Sequence, residues 1–271
     1  MFRLLKFELK RAFDNIYFLI AVLLGCVITV FDFFNSTYPA LWLNQAPKME
    51  YPLSLFSEYI GLRSGSLAQT LIFLLAPLIC SLPHADSLAG DLGDGYSKNI
   101  VIRGNIRKWL TAKYIAVFLS AAAVFIIPFL TNLLVTAMFV PAVKPLASTK
   151  TFAAAKAINP FADIFLNHPM LYIIMYLIIG AVVIGLFCEI ALLTSLLVKS
   201  RFSSLLSPFI LYMLCYIFSS IFGKFGFDPY HIILPAQTVP AFTAETVLLP
   251  IALFLATFIP ITVLGSRKDV I

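Results

Sequence analysis

Glu189 is the ionisable residue whose setting most suggests chemistry, because it interrupts an apolar run that otherwise continues from Met170 to Val198 without Asp, Glu, Lys or Arg. It lies about ten residues, or roughly 15 Å at 1.5 Å per residue, from the end of that run. If the run crosses a membrane, the acid sits near its middle, where an ionisable group is expensive and must face other helices or a wet cavity. Two roles fit: a working group on a path through the membrane, or a protonated tether hydrogen-bonded to a Ser, Thr or Tyr of a neighbouring helix. No second acid, histidine or nucleophile stands beside it in its own run, which argues against a hydrolytic centre. His84, His168 and His231 occur singly and read as interfacial polar residues rather than metal ligands. Cys26, Cys80, Cys188 and Cys215 all lie in apolar runs and no two form a C-x-x-C pair, so neither a zinc site nor a disulfide is expected. The run continues past Leu23-Leu24-Gly25-Cys26 to Phe31, so the N-terminus is expected to be retained rather than cleaved. The phosphate-cradling G-x-x-x-x-G-K-[ST], the zinc-binding H-E-x-x-H and the nucleophile elbow G-x-S-x-G are absent, so no ATP hydrolysis, metal or bound cofactor is expected of this chain.

The elements that must hold Glu189 follow from composition. Of 271 residues, 61% are hydrophobic and 12% charged, against about 25% charged in soluble domains, and the mean hydropathy is +0.97. These values exclude a soluble enzyme, a disordered regulator and a disulfide scaffold, and require an integral membrane protein. The net charge of +6 comes without a stripe of alternating basic and aromatic residues, so anionic lipid headgroups, not nucleic acid, are the expected partner.

A spanning helix needs about 20 mainly apolar residues. Stretches free of charge apart from Glu189, the first of them Asn15 to Phe31 extended past Asp32 through Phe33 and Phe34, predict six spans at 15–34, 64–85, 114–141, 170–198, 202–223 and 246–266, in one transmembrane domain of residues 1–271. Strict alternation of apolar and polar residues is missing, so the fold class expected is an all-α integral membrane protein rather than a barrel. Thirteen of the nineteen Lys and Arg residues flank one set of span ends, among them Arg3, Lys6, Lys10, Arg11, Lys98, Arg107 and Lys113. Such enrichment marks the cytoplasmic side, which predicts a multi-pass plasma-membrane protein with both termini cytoplasmic. Residues 1–14 place Phe2, Leu5, Leu9, Ala12, Phe13 and Ile16 at three-to-four-residue spacing opposite Arg3, Lys6, Lys10 and Asp14. That pattern predicts an interfacial amphipathic helix, with a snorkelling start to the first span as the alternative.

The connection at 86–113 carries the most specific pattern. Gly90, Gly93 and Gly95 allow a sharp exit from the second span, Tyr96 to Arg103 suit about two helical turns, Gly104 suits a left-handed cap, and Asn105 can cap the helix that follows. Ile100, Val101 and Ile102 are apolar for a solvated loop and sit between Lys98 and Arg103, as a short helix seeking a partner surface would. The order Asp91, Gly95, Tyr96, Lys98, Asn99, Ile100 and Val101, then Gly104, Asn105, Ile106, Arg107 and Lys113, resembles the segment after the second span in permease subunits of type-2 ATP-binding cassette exporters. Asp91 stands where Glu is commoner there, and Tyr96 where Thr is commoner. The six-span layout and amphipathic start agree with that family over nearly the whole chain.

The resemblance implies that 86–113 is a cytoplasmic coupling loop whose helix, with Asp91, Gly95, Tyr96, Lys98, Asn99, Ile100, Val101, Arg103 and Arg107 as its coupling residues, seats in a separate ATPase subunit. ATP and Mg would be bound by that partner, and a second permease half, the same chain or a different one, would complete the pathway. The cargo implied is amphipathic: a peptide, drug or lipid-like molecule. An amphipathic loop lying on the lipid surface is the alternative for the segment. For the chain, the alternatives are a proton-coupled secondary transporter or a membrane-embedded enzyme using Glu189.

Overall fold

The computed structural model describes residues 2–42, 53–97, 105–145, 152–198 and 200–264. Every regular element among them is helical. The principal helices are α1 (Phe2–Phe13), α2 (Ile16–Asp32), α3 (Leu67–Ser81), α4 (Ser87–Gly93), α5 (Ile106–Phe139), α6 (Pro169–Cys188), α7 (Ile190–Val198), α8 (Arg201–Phe222) and α9 (Ala244–Leu264). A π-helical turn, Phe33–Thr37, carries α2 onward.

Among the described residues, four helical stretches are long and apolar enough to cross a membrane: Ile16–Leu41, Ile106–Phe139, Pro169–Val198 and Arg201–Phe222. The two remaining expected spans correspond to shorter apolar helices, Leu67–Ser81 and Leu248–Val263. The first of these is short for local reasons. The Ser66 hydroxyl caps its start by accepting from the Gln69 amide at 3.0 Å, and Pro83 follows directly on its last turn. Its 15 residues reach about 22 Å, against about 30 Å of hydrocarbon.

Helix α5 is the axis of the bundle. On one side α2 lies along it through the stripe Ala21, Gly25 and Thr29, where a side chain at Gly25 would put its Cβ 2.4 Å from the Pro128 ring. Asn132 ties this seam: its Nδ2 donates to the Thr29 carbonyl at 2.8 Å, and its Oδ1 accepts from the Ile60 amide at 3.1 Å. On the other side Gly180 and Gly185 let α6 approach, with Phe125 and Phe118 of α5 filling the space that Cβ atoms would take. Each internal proline frees the carbonyl four residues earlier. Pro77 in α3 frees that of Phe73, which accepts from the Tyr212 hydroxyl of α8 at 2.8 Å, so a helix break becomes an interhelical link. The segment from Phe225 to Ala241 buries Ile232, Ile233, Leu234 and Ala236 against the bundle and leaves Phe227 and Pro240 exposed.

Helix α1 turns part of its apolar face away from the bundle. Its buried positions are Glu8 and Ala12, while Phe2, Phe13 and the following Ile16 are exposed. The reason is electrostatic: Glu8, one turn before Ala12, finds its partners inside the bundle.

Candidate functional site

Glu8 lies at the centre of a buried polar cluster at the N-terminal end of the bundle. Its Oε1 accepts from the Trp109 indole at 3.0 Å, its Oε2 stands 3.1 Å from His84 Nε2, and the Lys113 ammonium is 3.5 Å away. The ionised carboxylate can only accept, so His84 Nε2 carries the proton. Lys113, itself wholly buried, also donates to Asp91 at 2.7 Å and to the Ser87 hydroxyl at 3.1 Å. Arg11 grips the same Asp91 with both terminal nitrogens, at 2.9 and 3.1 Å. Two carboxylates thus face two cations, and every charged group has a partner.

Burial pushes the Glu8 carboxyl up, but the His84 hydrogen bond and the Lys113 and Arg11 charges outweigh it and hold it at about 2, below its ordinary 4.5. Asp91 is likewise held down: burial opposes, while the Arg11 and Lys113 contacts prevail. The Asp91 bond in turn raises Arg11. The cluster therefore stays ionised at neutral pH, and it joins α1, α4 and the start of α5 as one block.

This block frames the 86–113 connection. Gly90 does not serve as an exit from the membrane helix but lies within α4, where an added Cβ would meet the Arg201 guanidinium at 3.0–3.2 Å. Arg201 also reaches Asp94 at 3.1 Å, which ties α4 to the start of α8. Gly95 takes the left-handed conformation, φ 69°, that favours glycine. Asp91 faces inward, and Tyr96 is half-buried with its ring 5.9 Å from the Arg11 guanidinium. On the other side of the connection, Asn105 caps α5 by accepting from the amides of Arg107 and Lys108, and the Arg107 side chain is exposed. Lys98, Asn99, Ile100, Val101 and Arg103 lie outside the described residues. The structure brings Asp91 and Tyr96 together at Arg11 and leaves Arg107 apart from them.

Sequence reasoning passed over Glu8 and read His84 only as an interfacial polar residue. One signal was available for Glu8, since its spacing from Leu4, Leu5 and Ala12 puts it on the same helical face as apolar residues. His84 is a buried partner of that acid, not an interfacial residue.

Glu189 occupies the joint between α6 and α7, where the helix is interrupted for one residue. It is wholly buried, and neither carboxylate oxygen has a hydrogen-bond partner. Its carboxyl lies against the Phe118 backbone and near the Tyr114 hydroxyl, which pairs instead with Thr257 at 3.0 Å. Of the two roles considered for Glu189, the hydrogen-bonded tether to a Ser, Thr or Tyr is therefore not made among the described residues. Tyr114 and Phe118 also line an apolar groove of about 610 Å³ between α5, α6 and α9, walled by Leu186, Pro250, Phe254 and Phe258. Among the described residues no group of three or more His, Cys, Asp or Glu side chains could hold a metal.

Comparison with protein-family models, with curated proteins and with solved structures finds no match for this chain. The fold itself defines a class, an all-α multi-pass membrane protein with four long apolar helices.

Proposed function

We propose that this chain is the permease subunit of an ATP-driven exporter of the type-2 ATP-binding cassette kind. In this reading it has six spans and cytoplasmic termini in the plasma membrane, and the pathway is completed by a second permease half. A separate ATPase binds ATP and Mg and pushes on the segment between α4 and α5. Amphipathic cargo passes between the permease halves, and Glu189, buried behind the Tyr114 and Phe118 wall of the apolar groove, acts on that path.

The observation that carries the reading is the frame around residues 98–104. The motif-like order Asp91, Gly95, Tyr96, Asn105, Arg107 and Lys113 is interleaved with a buried ionic block that fixes α1, α4 and the base of α5 to one another. A push on a segment held in that way moves whole helices rather than bending a loop, which is what coupling by rigid-body motion requires. Helix α5, 34 residues long, would carry the displacement to the level of Glu189 and beyond.

The test is recovery of the ATPase on wild-type, Ile100→Glu and Arg107→Ala permease. A charge at Ile100, buried without a partner in an ATPase cleft, should abolish recovery or leave bound but uncoupled ATPase. Arg107→Ala should only weaken it, because an exposed charged contact is worth about 1 kcal/mol or less. Equal recovery on all three chains would refute the coupling assignment. Glu189→Gln should assemble normally yet change transport, and unaltered transport would remove Glu189 from the pathway.

A further inference from the structure

A second set of unpartnered polar atoms lies at the opposite end of α2 from the ionic block. Of nine buried side-chain oxygens without a hydrogen bond among the described residues, four gather here: both of Asp32 and the hydroxyls of Thr37 and Thr136. All three residues are at most 1% exposed. Asp32 ends α2, and Thr37 ends the π-helical turn that follows it. Such turns divert a helix locally and often mark working sites. Glu58, 7% exposed, comes in from the segment before α3 with Arg63 at 2.8 Å.

The groups face one another. Thr37 lies near Glu58, and Ser36 and Ser66 near Asp32, without a hydrogen bond to the Asp32 oxygens or the Thr37 hydroxyl; burial and the like charge of Asp32 raise the Glu58 carboxyl, against the pull of Arg63. Thr136 joins by register. Helices α2 and α5 run side by side with Gly25 against Pro128, Thr29 against Asn132 and Phe33 against Phe139, so Thr136 stands level with Asp32 and Phe33.

Chemistry decides what belongs among them. The donor atoms are oxygens alone, the set preferred by hard cations. With both carboxyls ionised, they and the one guanidinium leave a net charge of −1, which a single positive charge cancels and a divalent ion would overshoot. A proton would also cancel the charge, but it supplies one donor to one neighbour. A cation placed among them would engage the carboxylate and both hydroxyl oxygens together.

We propose that Asp32, Thr37, Thr136 and Glu58 form a binding site for one monovalent alkali cation. The site is independent of the exporter reading, since it needs neither ATPase nor cargo and lies at the far end of α2 from the 86–113 segment. The bound ion holds the π-helical turn of α2 against α5 and the Glu58 segment, and so fixes that end of the bundle.

The purified full chain in detergent tests this directly. Its melting temperature is followed while NaCl or KCl replaces N-methylglucamine chloride at constant ionic strength, and retention of radioactive sodium gives the stoichiometry. The melting temperature should rise and saturate with the alkali cation, as binding to the folded state alone requires, with one ion retained per chain. Asp32→Asn should melt cooperatively without cation dependence. Thr37→Val and Thr136→Val, which keep side-chain volume, should move the midpoint of the titration at least about tenfold higher, the effect of about 1.4 kcal/mol. A melting temperature indifferent to the cation but responsive to pH would assign the site to a proton and overturn the proposal. Indifference to both would assign the site to water alone and overturn the proposal equally. A cation response that survives in Asp32→Asn and Thr37→Val would put the ion elsewhere and overturn it too.

Discussion

Replacing Lys113 with Met tests whether the ionic block holds the N-terminal helix to the bundle. The ammonium is wholly buried, 2.7 Å from Asp91 and 3.5 Å from Glu8. Methionine nearly matches its length, so the change removes the charge, and with it the ammonium 5.2 Å over the Trp109 ring, with little loss of volume. What remains is two buried carboxylates sharing Arg11, which is about one third exposed. Removing one partner of a buried pair typically costs about 3–5 kcal/mol because the other charge is left uncompensated. That is a large part of the 5–15 kcal/mol by which folded domains are usually stable.

The second half of the test is a double variant. Glu8→Gln in the Lys113→Met background restores neutrality, since Arg11 and Asp91 still form a pair on their own. It should recover about 2 kcal/mol or more relative to the sum of the single changes. Denaturant titration of the detergent-purified chain, followed by tryptophan fluorescence, reads the block directly because Trp109 is part of it. A Lys113→Met chain within about 1 kcal/mol of wild type, or strictly additive single changes, would refute the claim that these charges act as a unit.

Acid should act through the same block. Because Glu8 is held at about 2 against 4.5, its stabilising contribution is complete above pH 4.5 and drains away as pH falls from 4.5 toward 2. The stability gap between wild type and Glu8→Gln should therefore be flat from pH 7 to about 5 and close below that, as parallel melting curves would reveal. At the α5–α6 seam, Gly180→Ala would place a Cβ 2.4 Å from the Phe125 ring and should cost about 1–3 kcal/mol, whereas Gly93→Ala, with no atom within 4 Å, should be nearly neutral. Thermal unfolding of the two variants side by side separates tight packing from a general intolerance of alanine. Tyr212→Phe should cost about 1–2 kcal/mol by orphaning the Phe73 carbonyl, and Pro77→Ala in that background should restore part of it by giving the carbonyl a helical amide. A double-mutant cycle with no coupling would show that the hydroxyl and the proline are unrelated.

How much of this was legible in the sequence depended on the kind of signal. Long apolar runs identified membrane helices because span length is fixed by the bilayer, and Asn105 could be read as a cap from its type and position. Helix ends set by tertiary contact could not be read. The α3 run looks like a span from 64 to 85 but stops at Ser81, while α5 begins eight residues before the expected start of its span. Gly90 looked like loop punctuation because composition does not reveal that Arg201 would come to rest over it. Glu8 was missed and His84 misread for a related reason: their meaning lies in each other, across 76 residues of chain. Glu189 was legible because an acid inside an apolar run is anomalous without any partner being known.

The bundle treats its buried acids in two ways, and the difference separates support from work. Glu8 and Asp91 find two cations, an indole and an imidazole, and the block they form is electrically neutral with its hydrogen bonds complete. Nothing further is needed there, and a ligand would have to break contacts to enter. Glu189 and Asp32 are buried just as deeply with no hydrogen bond to either carboxylate. A group in that condition destabilises the fold unless something outside the chain completes it. Each also sits where a helix departs from regularity, Glu189 at the α6–α7 joint and Asp32 at the π-helical turn, so the local backbone is already shaped around the acid. The paired acids tie helices to one another, and the unpaired ones are the two places where we propose that this membrane protein meets a cargo or an ion.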